Sequence, residues 1–324
     1  MLKDRIRVNR LELRNRIVMP PMATGRGERG MPDDGLADYY AARAGATGLI
    51  ILEHEYVSPE GMAHATQLSM ADDAVIPACR RLTGAIHAKG AAVFAQISHA
   101  GARARESGLP AVSPSGIDIR EPDARPEVMT EEDIARVKGC FVSAALRAKA
   151  AGFDGVEIHS AHGYLLNQFY SPLTNRRTDA YSGRTLAGRT RLHSEILRAV
   201  REAVGGDYPV AIRFGAYDRM EGGSLREEIP EACRIFEAAG ADLIDISGGL
   251  SGYTVPGDDH PGWFRDLSLL AREGVSVPVL LTGGIRTAGE AEELLRAGAA
   301  DLIGIGRAML KTADWAERAL TAAD

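Results

Sequence analysis

Two histidines and a tyrosine, His159, His162 and Tyr164, follow directly on the apolar run Val156-Glu157-Ile158. Two imidazoles could ligate a metal, but no third His, Asp or Glu stands nearby at a telling spacing. They could instead donate two N–H bonds to one substrate oxygen and stabilise negative charge that develops there. The structural alternative is a core histidine with a backbone partner. The tyrosine beside the pair favours chemistry.

Two glycine-containing turns point to an anion. Leu280-Leu281 runs into Thr282-Gly283-Gly284-Ile285, and Ile303-Gly304-Ile305 runs into Gly306-Arg307. Glycines let backbone N–H groups approach phosphate oxygens, and an arginine pairs with phosphate bidentately. The competing reading is that any short strand-to-helix turn favours glycine. Arg213 lies inside the apolar run 210–214, where a guanidinium needs an anion or an internal carboxylate such as Glu157 or Asp245. Gln96, embedded in Val93-Phe94-Ala95-Gln96-Ile97, offers a donor and an acceptor suited to the amide-like edge of a heterocycle, or to a core polar contact. The five lysines, Lys3, Lys89, Lys138, Lys149 and Lys311, fall at no expected strand end, which argues against a Schiff-base aldolase.

Eight short apolar runs, around residues 17–19, 49–52, 93–97, 156–158, 210–214, 243–246, 279–281 and 302–305, read as buried strands. Segments with helical period lie between them, at 36–46, 76–89, 131–151, 185–204, 227–239 and 288–297. A weak repeat supports one reused unit: Ala151-Gly152-Phe153-Asp154, Ala239-Gly240-Ala241-Asp242 and Ala297-Gly298-Ala299-Ala300-Asp301 each end a helix at glycine and enter a strand after aspartate. Alternating strands and helices in this number match a (β/α)8 TIM barrel, an α/β fold, as one domain over residues 1–324 with no linker that would split it. A doubly wound sheet would usually show GxGxxG after its first strand, where this chain has Pro20-Pro21-Met22-Ala23-Thr24. Barrel chemistry sits at the carboxyl ends of the strands, and this rule picks out the residues worth weighing. The stretch 248–262, with Tyr253 and His260, is long enough to cover a substrate or to be a plain surface excursion.

The charge balance excludes some partners. With 38 Lys+Arg against 44 Asp+Glu the formal charge is −6, which disfavours sequence-independent nucleic-acid binding. Three cysteines at wide spacing form no CxxC signature and no disulfide framework, so a reducing cytoplasm is expected. Charged residues at the start of the chain and the lack of a long apolar run lead to the expectation of a soluble protein without export or membrane partners.

The residues resemble the Old Yellow Enzyme family of flavin oxidoreductases across nearly the whole chain. The most specific stretch runs from Gly155 through His159-Ser160-Ala161-His162-Gly163-Tyr164-Leu165-Leu166-Asn167-Gln168-Phe169 into Ser171-Pro172-Leu173-Thr174-Asn175-Arg176-Arg177. Asn15-Arg16-Ile17-Val18-Met19-Pro20-Pro21-Met22, Gln96-Ile97-Ser98-His99-Ala100-Gly101 and Ile303-Gly304-Ile305-Gly306-Arg307 add to it.

The resemblance implies FMN at the barrel mouth, its phosphate at Gly283, Gly284, Gly306 and Arg307. It places Gln96 at the flavin's pyrimidine edge and Arg213 by N1, with Pro21, Met22, Ala23 and the His54 backbone lining the ring. An arginine there stabilises the anionic reduced form. It further implies that NAD(P)H is the reductant, that His159 and His162 hold the carbonyl oxygen of an enone-type small molecule, and that Tyr164 protonates its α-carbon. Ala23 stands where many relatives carry Cys or Thr, so a hydrogen bond that tunes the flavin is expected to be missing. The cysteine cluster and extra nucleotide-binding domains of the dienoyl-CoA reductase branch are not expected. An FMN-dependent ene-reductase is the leading function. The alternatives are a desaturase or a nitro or quinone reductase on the same scaffold, and a nonredox phosphate-binding isomerase or lyase. The physiological substrate and oligomeric state, including a homo-oligomer, stay open.

Overall fold

The computed structural model describes residues 1–321. Its centre is a closed parallel barrel of eight strands, here β1 (Ile17–Met19), β2 (Leu49–Ile51), β3 (Ala92–Ser98), β4 (Gly155–Ser160), β5 (Val210–Tyr217), β6 (Leu243–Gly248), β7 (Val279–Leu281) and β8 (Leu302–Gly304). Each strand pairs with its sequence neighbours, β8 returns to β1, and β3 pairs with β4, so no edge is left open. Helices connect the strands, including Asp34–Ala44, Ile76–His87, Glu131–Ala150, Leu186–Val204, Ile229–Ala238 and Ala288–Arg296. This is the expected (β/α)8 barrel. The alternation also includes Arg265–Gly274 between β6 and β7 and the short Leu165–Tyr170 after β4, neither of which stood out in the sequence.

The repeated aspartates have a structural task. Asp154, Asp242 and Asp301 each accept a hydrogen bond from an amide at the start of the preceding strand, at Val93 (2.8 Å), Val210 (2.9 Å) and Val279 (3.0 Å). Asp242 and Asp301 also pair with Arg201 and Arg272, and Asp154 hydrogen-bonds the His87 ring at 2.8 Å, each partner coming from the helix that leads into that preceding strand. The glycines before them, Gly152, Gly240 and Gly298, have φ of 85°, 109° and 67°, a region that glycine enters without a Cβ clash.

Side-chain alternation along the strands divides the barrel interior into two zones. At the amino end, Val18, Leu49, Ile51, Phe94, Ala211, Leu243, Leu280 and Leu302 form an apolar plug, closed by Val8 and Leu13 of an N-terminal hairpin. Two residues further along, the same inward face carries Gln96 above Phe94, Arg213 above Ala211 and Asp245 above Leu243. Burying these polar groups is favourable only if each finds a partner, and the strand register supplies them. Glu157 lies opposite Gln96, His159 opposite Arg213, and Arg213 opposite Asp245. No helix among the described residues is long and apolar enough to cross a membrane.

Candidate active site

The strand ends open into one cavity of about 1040 Å³. Pro21, Met22, Ala23, His54, Gln96, His159, His162, Tyr164, Arg213, Gly283, Gly284, Gly306 and Arg307 all line it. The fold thus brings together every site residue expected from the sequence.

The floor is a buried polar network. Gln96 Nε2 donates to Glu157 Oε1 at 2.8 Å, so that donor is engaged within the protein. Arg213 Nε lies 3.3 Å from Asp245 Oδ2, and the same arginine lines the cavity, so the internal pair and a ligand-facing position coexist. Burial holds the Glu157 carboxyl well above the usual carboxylate range, with Asp245 reinforcing the shift and Arg213 and Gln96 opposing it. Asp245 is raised to about 6 because burial outweighs the pull of Arg213.

The wall that follows β4 carries the aromatic cluster. The His159 and His162 ring centres are 5.2 Å apart, and the Tyr164 ring lies 5.1 Å from His159. His162 has φ of 60°, a left-handed conformation that is uncommon outside glycine and that marks a site held by its surroundings. The motif that follows supplies the hold: Gly163 N–H donates to Asn167 Oδ1 at 2.8 Å, and Gln168 Nε2 donates to the Gly163 carbonyl at 2.8 Å. Burial is the first cause that keeps both histidines well below the ordinary imidazole value, followed for His159 by His162 and for His162 by Arg213. They are therefore neutral at neutral pH, each with an N–H to donate. Tyr164 is raised by burial, with Arg103 and Arg120 opposing, so its hydroxyl keeps its proton.

The resemblance assigned only a backbone role to His54, yet its ring is part of this wall. It lies 5.4 Å from Tyr164, its Nδ1 is 2.6 Å from Gln67 Nε2, and burial lowers it to about 3. The Ala23 side chain offers no hydrogen-bonding group, and the neighbouring Thr24 hydroxyl donates to Glu53 at 2.6 Å. Tyr253 is 69% exposed, but its ring stands 5.7 Å from His162 and it lines the cavity. His260, from the same stretch, points to solvent beside Asp258.

At the far end, Gly283 and Gly284 have φ of 105° and 71°. A Cβ on Gly284 would come within 2.8 Å of Trp263 Nε1, so packing of the β6–β7 connection requires glycine there whether or not an anion binds. Arg307 is exposed, its guanidinium 4.6 Å from the Trp263 ring centre. Lys311 and Arg286 also face this end. Residues beyond the expected set, among them Arg103, Arg120, Arg286, Trp263 and Lys311, also line the cavity. Neither Arg103 nor Arg120 stood out in the sequence; the signal that could have found Arg103 is its place five residues after the end of β3, and Arg120 carries none.

FMN fits this donor set. A glycine turn with three nearby cations suits its phosphate, and Gln96 and Arg213 present donors and acceptors toward a heterocycle's polar edge. His159 Nδ1 is buried without a hydrogen-bond partner, an orphaned polar group in a wall otherwise built for a ligand.

Residues 4–322 match the model of the NADH:flavin oxidoreductase / NADH oxidase family. The NADH oxidase of Thermoanaerobacter brockii is 41% identical over 97% of this chain and 50% of its own length, so the chain spans about half of that relative. The NADPH dehydrogenase of Listeria monocytogenes serotype 4a is 40% identical over 95% of this chain and 90% of its own. Among solved structures, a 2-naphthoyl-CoA reductase complexed with 2-naphthoyl-CoA superposes with a TM-score of 0.93 at 26% identity, covering 99% of this chain and 52% of that one. Morphinone reductase in complex with tetrahydroNAD gives 0.87 at 26% identity, covering 100% and 91%. The old yellow enzyme homologue from Zymomonas mobilis gives 0.85 at 28% identity, covering 100% and 93%. The chain therefore belongs to the NADH:flavin oxidoreductase / NADH oxidase family, the Old Yellow Enzyme family of oxidoreductases that use FMN with NAD(P)H as reductant.

Proposed function

We propose that this protein reduces the activated C=C bond of α,β-unsaturated carbonyl compounds. The observation that carries the reading is the cluster of His159, His162 and Tyr164 on the wall of a cavity whose far end suits a phosphate. The likeness to morphinone reductase agrees with it.

FMN, when bound, supplies a two-electron carrier that accepts hydride from NAD(P)H and can return it to an alkene β-carbon. Gln96, Arg213, Gly283, Gly284, Gly306 and Arg307 would hold it, with Pro21, Met22, Ala23 and His54 beside its ring system. His159 and His162, kept neutral by burial, donate N–H groups to the substrate's carbonyl oxygen. Those bonds strengthen as negative charge grows on that oxygen, which is where catalysis gains. Tyr164, protonated and beside them, delivers a proton to the α-carbon.

The test is anaerobic titration of the purified protein loaded with FMN. It should be yellow, bleach on addition of NADH or NADPH, and regain its colour with 2-cyclohexenone while cyclohexanone forms in equal amount. A colourless protein that takes up no FMN would point to a nonredox barrel. Recovery of colour with a quinone or nitro compound, but not with the enone, would move the activity to that substrate class.

A further inference from the structure

Six cationic side chains line the cavity, Arg103, Arg120, Arg213, Arg286, Arg307 and Lys311, and among the described residues no carboxylate does. In a chain of formal charge −6, this is a local reversal of sign that draws anions into the cleft. Four of the six have an evident place. Arg286, Arg307 and Lys311 stand at the phosphate end, and Arg213 is paired with Asp245 on the barrel floor.

Arg103 and Arg120 do not belong to either group. Both follow β3 and flank the histidine wall. Arg103 Nη1 donates to the His162 carbonyl at 2.9 Å, and its guanidinium lies 5.6 Å from the Tyr164 ring centre. Arg120 Nη2 donates to the Leu250 carbonyl at 3.1 Å. Among the described residues neither has a carboxylate oxygen within 4.0 Å. Glu121 and Asp118, the nearest acids in sequence to Arg120, are both paired with Arg105, Asp118 at 2.5 Å, and Asp118 also accepts the Arg120 backbone N–H at 2.9 Å. Two like charges are thus held side by side through carbonyl oxygens, with their remaining N–H donors available to the cavity. Such planar donor forks suit carboxylate and phosphate oxygens.

We propose that Arg103 and Arg120 form an anion subsite, which takes a carboxylate or phosphate carried by the molecule whose reacting end lies against His159 and His162. The ligand's placement, though not the subsite itself, rests on the ene-reductase reading. Two molecules could bring this chemistry: an unsaturated substrate with an anionic tail, or the nicotinamide reductant through its diphosphate.

The experiment compares 4-methylphenol with 4-hydroxyphenylacetate, titrated into the FMN-loaded protein and followed by the long-wavelength absorbance that phenols produce over oxidised flavin. The wild type should bind the carboxylate-bearing phenol about tenfold more tightly, as a charge-assisted hydrogen bond would give, with the gap closing at high salt. In the R103Q/R120Q variant, where glutamine can still donate to the two carbonyls, the preference should vanish while 4-methylphenol binds as before. Equal binding of both phenols by the wild type, or a preference that survives in the variant, overturns the proposal.

Calorimetric titration with inorganic diphosphate keeps the two readings apart. If neither phenol perturbs the flavin, the histidine assignment fails, and diphosphate binding that is lost in R103Q/R120Q still supports the subsite; diphosphate binding equal in both proteins overturns it. The source of the anion follows from rapid-reaction reduction. A roughly tenfold rise in the apparent Kd for NADPH in the variant assigns the subsite to the dinucleotide, and an unchanged Kd assigns it to the substrate tail.

Discussion

His162 Nε2 lies 2.7 Å from the Ser247 hydroxyl, across the gap between the turn after β4 and the end of β6. Ser247 reaches a candidate catalytic histidine from 85 residues away in sequence and fixes the plane of its ring. Ser247→Ala should weaken binding of a phenolic ligand about fivefold, the worth of one ordinary net hydrogen bond, and leave FMN affinity unchanged. Spectroscopic titration checks this; unaltered phenol affinity would show that the hydroxyl does not position His162.

Tyr164→Phe should slow oxidation of the reduced protein by an enone by ~10² to 10⁴, the usual worth of a positioned general acid. Reduction by NAD(P)H should be nearly intact, because that step needs no proton at carbon. Removing only the hydroxyl keeps the ring's contacts with His159 and His54, so the loss would not arise from a cavity. Stopped-flow measurement of the two half-reactions decides it, and equal slowing of both would indicate a general loss of site geometry.

Arg307→Ala should weaken FMN binding by roughly tenfold, because a charge-assisted bond at an exposed position is worth little more than about 1.5 kcal/mol. Titration of the apoprotein with FMN measures it. An unchanged Kd would leave the phosphate to Arg286, Lys311 and the glycine turn.

Acid should destabilise the protein partly through His193. This residue is fully buried, its Nε2 2.8 Å from Ser160 Oγ and its ring stacked on Phe236, and burial lowers it from 6.5 to about 3. Its folded value lies below its unfolded one, so its contribution is complete above about 6.5 and is lost as pH falls toward 3. Between those limits the loss approaches about 1.4 kcal/mol per pH unit for one proton. Denaturant melts across pH should therefore show a shallower decline for His193→Gln than for the wild type, whatever the variant's absolute stability. Parallel curves would mean that His193 does not take up a proton on unfolding.

The eight strands were legible because each is a short apolar run bounded by helical period, and the repeated entries with glycine two or three residues before aspartate marked where helices stop. The candidate site was legible where its residues follow or interrupt those runs: His159 and Gly283 come at strand ends, Arg213 is a charge inside a strand, and the family resemblance supplied their proposed partners. Other relationships depend on which strands become neighbours. Gln96 meets Glu157, and Arg213 meets Asp245, because β3 lies beside β4 and β5 beside β6 in a fixed register. Nothing in the local sequence distinguishes Ser247 from any other strand-end serine, and its reach to His162 exists only once the barrel closes. The same holds for Arg120, whose loop has no periodic signal and whose charge matters because tertiary packing sets it beside Arg103 and away from any free carboxylate. Local pattern determined the fold and the residue types at the strand ends. Closure of the barrel decided which buried charges are paired and which face the cavity, since pairing depends on distance in space and not on separation along the chain.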